Sequence, residues 1–557
     1  MSACAGSRSL LGIAWVAISL AAAPAGAEWF RLSEGQAFSD VGPFADRFHV
    51  SPDGRWAVYT HDAETDGVYD LWSVPLPSGP PVKLTGALPA PGVSRFAVSP
   101  DSSRVVYRAD QDAIGVHELY SVPIGGPASA RVNLNGSLVA GGDVIEESPS
   151  FAISPDGARV VYRADQQIDG VIELYGVPIT GPASSGVKLN GTQVAGGDVA
   201  NFRISSTSAR VVYRADQQTD SVDELFSVPI AGPASSGVQL SGAEAPVRRG
   251  FLISPNGARV VYTAVEQTAL VAELFSVPIA GPASSRVKLN GPLVAGGEVS
   301  DTLQISPSGA RVVYHADQQT GNVFELYSVP IAGPATSGVK LNATLVAGGD
   351  VAESFEISPN GARVVYHADQ QTDEAFELFS VPIAGPASSG FKLSGPLVAN
   401  GEIESFTVSP DSAWAVYAAD QEIDGWLMGY RAPLTGPAGS DERIWATAVN
   451  VPSDFAILPD SSAIVVRGNS AFVDGIVRLW TYPLAGTPDV FGTDWLGSEF
   501  QPNGDALSFR LLPDGSGAVY VADQEVNDQF ELYLLYFRLW GDGFETGDTS
   551  RWSDTVP

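Results

Sequence analysis

Apolar and polar positions along this chain alternate in short bursts, and the bursts repeat. The stretch I-S-P-D-G-A-R-V-V-Y-R-A-D-Q-Q begins at Ile153, and close copies begin at Ile204, Ile253, Ile305 and Ile357. Anchored on the S-P-D-G position, copies start at Ser51, Ser99, Ser154, Ser205, Ser254, Ser306, Ser358, Ser409, Leu458 and Leu512, spaced 48 to 55 residues apart. In the third copy the pattern predicts four short strands, at Ser150–Ser154, Ala158–Arg163, Val171–Ile179 and Gly186–Leu189. The second is rich in Val and Tyr and alternates as a half-buried strand does. S-P-D-G suits a type I turn, with Pro presetting φ and Gly closing it. Gly181–Gly186, G-P-A-S-S-G, is turn chemistry throughout. No segment sustains a 3.6-residue period, so the chain is predicted to be all-β.

Four strands in a repeat of this length predict the four-stranded blades of a β-propeller. The tenth copy ends after its third strand, Phe530–Leu539, while Glu28–Leu32 reads as a fourth strand without a blade. An N-terminal strand completing the last blade would close one ring and hide its edges. A single ring of ten blades is therefore expected; the alternatives are two smaller propellers or a ring with degenerate blades. S-P-D-G-A-R-V-V-Y followed by E-L-Y-S-V-P resembles the WD40-like repeat of TolB-type propellers, over Asp40 to about Leu539. The resemblance implies the propeller fold and an exported bacterial protein. It does not imply TolB itself, whose extra α/β domain has no counterpart in the short leader. It implies no particular function, because such repeats serve binding proteins and enzymes alike.

Residues 1–27 carry Arg8, the apolar run Leu10–Ala23 and the small-x-small site Ala25-Gly26-Ala27, which predict a cleaved signal peptide. Residues 28–540 form the propeller and 541–557 a polar tail, disordered or sorting-related. The expected destination is periplasmic or extracellular. The only cysteine, Cys4, precedes the apolar run, so neither a disulfide nor a thiol nucleophile is expected in the mature chain. No later segment is apolar for the roughly 18 residues of a membrane span, and no membrane insertion is expected. The net charge is −32, and −33 once Arg8 leaves with the signal. So acidic a surface repels nucleic acid and anionic lipid and favours cations or basic partners. The only lysines are Lys83, Lys188, Lys288, Lys340 and Lys392.

Familiar catalytic motifs are missing from the sequence: no G-x-S-x-G elbow, P-loop, H-E-x-x-H or D-x-D-x-D-G loop. His315 and His367 stand where other copies have Arg108, Arg163 and Arg214, always ten residues before an acid such as Glu118, Glu173, Glu224, Glu325 or Glu377. If Asp165 pairs with Val171, Arg163 falls opposite Glu173, and a structural cross-strand ion pair is expected there. Acids recur in A-D-Q-Q-x-D, giving Asp165 and Asp169, Asp216 and Asp220, Asp369 and Asp373, with Asp143, Asp198, Glu298 and Asp350 after Gly-Gly. The two loop types should share one face, making it strongly negative. Asp and Gln oxygens suit Ca²⁺, which takes six to eight of them, and those six aspartates are the candidate ligands. The competing reading is that each Asp opens its hairpin by accepting backbone N–H groups.

These observations predict an exported, non-catalytic platform that binds a protein, peptide or polysaccharide across one face. The alternatives are a polysaccharide lyase or hydrolase with a metal-assisted acidic site, or a structural component of the cell envelope. An enzyme site should break the repeat, which points to Trp414, Trp426, Arg443, Trp445, Arg467 and Arg478 in the irregular copies.

Overall fold

The structure is a computed structural model and describes residues 29–33, 48–242, 246–268, 270–446, 454–469, 477–486, 493–494, 505–525 and 529–537. The expected signal peptide and the tail at 541–557 lie outside these residues. Ten four-stranded antiparallel sheets follow one another along the chain. In the third blade the strands are Phe151–Ile153, Arg159–Ala164, Glu173–Pro178 and Val187–Lys188. Three fall inside the expected ranges, and the second is shifted by one residue.

Each S-P-D-G turn closes as its sequence demands. In the third blade the Gly157 N–H donates to the Ser154 carbonyl at 2.8 Å, with Gly157 at φ +70°. Ser154 Oγ donates to Asp156 Oδ1 at 2.6 Å, and the same carboxylate accepts the Ala158 N–H at 3.0 Å. The G-P-A-S-S segment makes a turn of 3₁₀ helix, Ala183–Ser185, before the fourth strand.

Blades pack face to face, and this corrects the half-buried reading of the second strand. Val160 and Tyr162 pack on Val106 and Leu119 of the preceding blade, whereas Val161 packs with residues of the following one. Both faces are therefore buried, and Val-Val-Tyr is a continuous apolar run because each side meets a neighbour. Each fully buried Val or Leu contributes about 1.5–3 kcal/mol. One such apolar cluster fills each junction between consecutive blades, and the tenth joins Phe48, Tyr59 and Val74 of the first blade to Val519, Leu532 and Leu534 of the last. The ring is closed. The molecule is a ten-bladed β-propeller.

The closing strand is Trp29–Arg31, which pairs antiparallel with Glu531–Tyr536 in the expected manner, Trp29 opposite Leu535 and Arg31 opposite Tyr533. Phe30-Arg31-Leu32-Ser33 takes the place of Phe391-Lys392-Leu393-Ser394 in the seventh blade. Ser33 Oγ accepts the Leu532 N–H at 2.9 Å, as Ser394 Oγ accepts that of Leu378 at 3.1 Å. Arg31 lies 3.6 Å from Glu531, where Lys392 pairs with Glu377. The leader is a fourth strand in side-chain chemistry as well as in position.

Candidate functional site

The face formed by the hairpins between second and third strands carries the repeated acids. Asp165 stands where its hairpin opens, and its Oδ2 accepts the Gly170 N–H at 3.1 Å. Its Oδ1 accepts the N–H of Asp143, whose own Oδ1 accepts the His117 N–H from the preceding blade. The pattern repeats around the ring. Asp216 takes the Ser221 N–H at 3.0 Å and the Asp198 N–H, while Asp198 takes the Ile172 N–H at 2.6 Å. Asp369 takes the Glu374 N–H at 3.0 Å and the Asp350 N–H, while Asp350 takes the Phe324 N–H at 2.7 Å. Hairpin acids and Gly-Gly loop acids therefore do share one face, linked as carboxylate–amide latches between neighbouring blades.

The first Gln of the motif is also engaged. Gln166 Oε1 accepts the Tyr162 hydroxyl at 2.9 Å and the Gly136 N–H at 3.1 Å, the latter from the preceding blade. Backbone donors make the crowded negative charge tolerable. Burial still pushes the Asp198 carboxyl above its ordinary pKa; the Ile172 N–H pulls it back, and the charges of Asp216 and Asp165 add to the rise.

Of the six candidate calcium ligands, Asp165, Asp216 and Asp369 serve these latches. Asp169, Asp220 and Asp373 are exposed at the hairpin tips. Each of these three lies against the first glycine of the neighbouring loop, where a Cβ on Gly141, Gly196 or Gly348 would meet its carboxylate at 2.8, 2.8 or 2.4 Å. Among the described residues, no three His, Cys, Asp or Glu side chains are grouped as a metal site.

The expected Arg163–Glu173 ion pair does not form. The register sets Arg163 opposite Leu174 and Ala164 opposite Glu173, one residue from the expected pairing. A slip of one residue puts the two side chains on opposite faces of the sheet. Arg163 instead donates to the carbonyls of Pro149 and Glu147 in its own blade's entry loop, and to Val199 and Ala200 of the next blade. Burial among these carbonyls brings the guanidinium pKa down to about 10. Arg108 donates in the same way to the Val144 carbonyl at 2.7 Å.

His315 fills this place with an imidazole. Its Nε2 lies 2.7 Å from the Val351 carbonyl and its Nδ1 3.2 Å from Ser300 Oγ. A carbonyl only accepts, so Nε2 carries the proton and the neutral ring suffices. His367 turns within its own blade, with Nε2 3.0 Å from the Phe376 carbonyl. The His315–Glu325 and His367–Glu377 pairs are absent for the same reason of register. Neither histidine joins a group of carboxylates.

The acids find other partners. Glu173, Glu273, Glu325 and Glu377 are buried and pair with Lys188, Lys288, Lys340 and Lys392 on the fourth strand, and Asp70 lies 2.7 Å from Lys83. All five lysines of the chain are used in this way. The constant 15-residue offset in four copies was a signal open to sequence reading, and the closer Arg spacing masked it.

On the first strands, the residue two places before the turn bridges to the next blade at Gln304, Glu356 and Arg510. Gln304 Nε2 donates to the Phe355 carbonyl at 2.6 Å, and Glu356 Oε2 accepts the Val408 N–H at 3.1 Å. Arg510 Nε donates to the Phe48 carbonyl at 3.1 Å across the ring closure. Between the eighth and ninth blades the corresponding Thr407 is engaged backward with Glu356. There a cavity of about 340 Å³ opens between Phe406, Thr407 and Val408 on one side and Phe455, Ala456 and Ile457 on the other. It has no acid or base in its lining.

The irregular residues are not brought together. Trp445 is buried between blades beside Phe455 and Tyr482 and lies flat on Gly429, whose Cβ would fall 1.9 Å from its ring. Trp414 stacks under Arg431 at 4.7 Å, Arg443 reaches Glu422 at 2.7 Å, and Arg467 reaches the Ala506 carbonyl at 3.4 Å. Arg478 is buried in the ninth blade, and Trp426 is exposed at a hairpin tip. Sequence irregularity here marks altered blade packing.

No family model matches the chain, and no curated protein matches it. Among solved structures, prolyl oligopeptidase B from Galerina marginata aligns with a TM-score of 0.37 and 9% identity, over 67% of this chain and 55% of that one. A prolyl endopeptidase aligns with a TM-score of 0.36 and 12% identity, over 68% of this chain and 54% of that one. A putative TolB from Agrobacterium tumefaciens has a TM-score of 0.27 and 19% identity, over 52% of this chain and 90% of that one. This chain spans little more than half the length of the peptidases. At these scores nothing about its activity rests on the likeness.

Proposed function

We propose that this chain is an exported, non-catalytic binding platform whose ligand, a protein, peptide or polysaccharide, lies across the hairpin face of the ring. One observation carries the reading: repeated side chains such as Asp165, Gln166, Arg163 and His315 are engaged in joining blades, while the hairpin tips beyond them vary in sequence and face solvent. A general acid or base must reach a substrate with its titrating atom. The carboxylate oxygens of Asp165, Asp216 and Asp369 are turned to backbone amides instead. A rigid ring with variable tips is suited to recognition.

The test is a screen of the purified chain against peptide and polysaccharide arrays, with product analysis of every polysaccharide in parallel. Saturable binding without turnover is expected. Cleavage of a polysaccharide would favour the lyase or hydrolase alternative. Absence of any bound ligand would overturn the platform.

A further inference from the structure

The large apolar residues exposed among the described residues are Ile114, Ile168, Leu270, Ile423 and Trp426. Scattered singly over a surface they would need no explanation. Here they share one face of the ring. All five lie in the hairpins between second and third strands, in the second, third, fifth and eighth blades. Ile114 is 86% exposed and Leu270 91%.

Leu270 is unusual in exposure and in placing an apolar side chain on a left-handed backbone. Its φ of +66° is the left-handed conformation that Gly115, Gly170 and Gly425, and also Ser221, Asn322 and Glu374, hold at the same place in their hairpins. A leucine there carries steric strain that glycine avoids, and it leaves an apolar side chain in water. Neither feature benefits the fold. The conformation is common to the hairpins; the exposed leucine placed on it is what points to a use outside the fold.

The surroundings set the chemistry of the partner. The described tips, 62–67, 110–115, 165–170, 216–221, 265–268 with 270, 317–322, 369–374 and 420–425, contain no Lys, Arg or His. They do present exposed Asp66, Asp169, Asp220, Asp373, Glu374 and Asp424. Nucleic acid and anionic lipid are repelled by such a surface. A second copy of the chain would bring the same charge to a two-fold contact. Four of the five, Ile114, Ile168, Leu270 and Ile423, are aliphatic and offer a sugar neither donor nor acceptor. A polypeptide that mixes cationic with apolar side chains satisfies both features together.

We propose that the hairpin face is a docking surface for a cationic polypeptide, with Ile114, Ile168, Leu270, Ile423 and Trp426 as apolar anchors among carboxylates. The proposal rests on the binding-platform reading and names the class of its ligand. The probes are a labelled peptide of alternating Lys and Leu and a Lys homopeptide of equal charge, titrated into the full chain by fluorescence anisotropy. The mixed peptide should bind at least tenfold more tightly than the homopeptide. The charge-neutral variant Ile114→Ser, Ile168→Ser, Leu270→Gly, Ile423→Ser, Trp426→Ser should remove that advantage and leave homopeptide binding unchanged. Leu270→Gly alone should weaken the mixed peptide by a factor of two or more while raising the melting temperature, which separates lost docking from lost folding. Equal affinity for the two peptides, or affinity indifferent to the variants, overturns the proposal. A neutral polysaccharide or acidic peptide found in the array screen, and bound equally by the variant, would overturn it and leave the platform standing. Binding of no ligand in either assay would remove both.

Discussion

At the scale of residues, the buried acids and their partners allow a direct measurement. Glu173 loses most of its water on folding and relies on Lys188 and the Tyr175 hydroxyl for compensation. A double-mutant cycle between Glu173→Gln and Lys188→Met should therefore give a coupling of about 1 kcal/mol or more. The cycle between Arg163→Met and Glu173→Gln should stay near additivity, within about 0.3–0.5 kcal/mol. The opposite result would restore the pairing that spacing alone suggests. A second measurement concerns the histidines. Burial holds His61, His315 and His367 below the ordinary imidazole pKa. The unfolded chain then takes up protons that the folded chain does not, once the pH falls below about 6.5. This part of the stability is present above that value and is lost as the pH falls further. The urea midpoint should drop between about pH 7.5 and about pH 5.5, and His315→Gln with His367→Gln should flatten the drop.

At the scale of elements, the closing strand decides whether the ring is sealed. Trp29–Arg31 covers the strand Glu531–Tyr536, which would otherwise present free N–H and C=O groups to other chains. Deleting Trp29–Ser33 should lower the melting temperature and produce aggregates visible by light scattering. Arg31→Lys should be nearly neutral in urea unfolding, because lysine fills this place in other blades. Arg31→Ala should cost about 1 kcal/mol, since the pair with Glu531 is partly exposed. Equal effects of the two substitutions would show that Arg31 acts only as backbone.

At the scale of the whole molecule, charge and closure oppose each other. A net charge of −32 gathers hairpin and loop acids on one face, where they repel. Screening shortens the Debye length from about 30 Å at 0.01 M salt to about 10 Å at 0.1 M, so the melting temperature should rise with NaCl over that range. The latch oxygens of Asp165, Asp216 and Asp369 already accept amides, which favours screening over coordination. CaCl₂ at equal ionic strength should therefore raise the melting temperature no more than NaCl does. A larger rise with millimolar Ca²⁺, abolished by Asp169→Asn, Asp220→Asn and Asp373→Asn together, would establish these tip acids as ligands.

The sequence by itself determined the blade, the count of blades and the closing strand. Those features are written in local chemistry: turn residues at fixed offsets, Val-Val-Tyr runs, and a leader whose F-R-L-S matches F-K-L-S. It also determined that the acids share a face, because alternate connections of a meander emerge on alternate sides. What it left open depended on register and on neighbours. A shift of one residue in a hairpin moved Arg163 away from Glu173 and toward carbonyls of the next blade, and spacing along one blade contains no information about the next. The roles of Asp165 and Gln166 were ambiguous for the same reason, since the amides they accept come partly from the adjoining blade. The exposed apolar tips were ordinary residues in the sequence and came to share one face only once the described hairpins were set around the ring. Periodicity encodes what a strand does with its own sheet; closure of the ring decided what each sheet does with the one beside it.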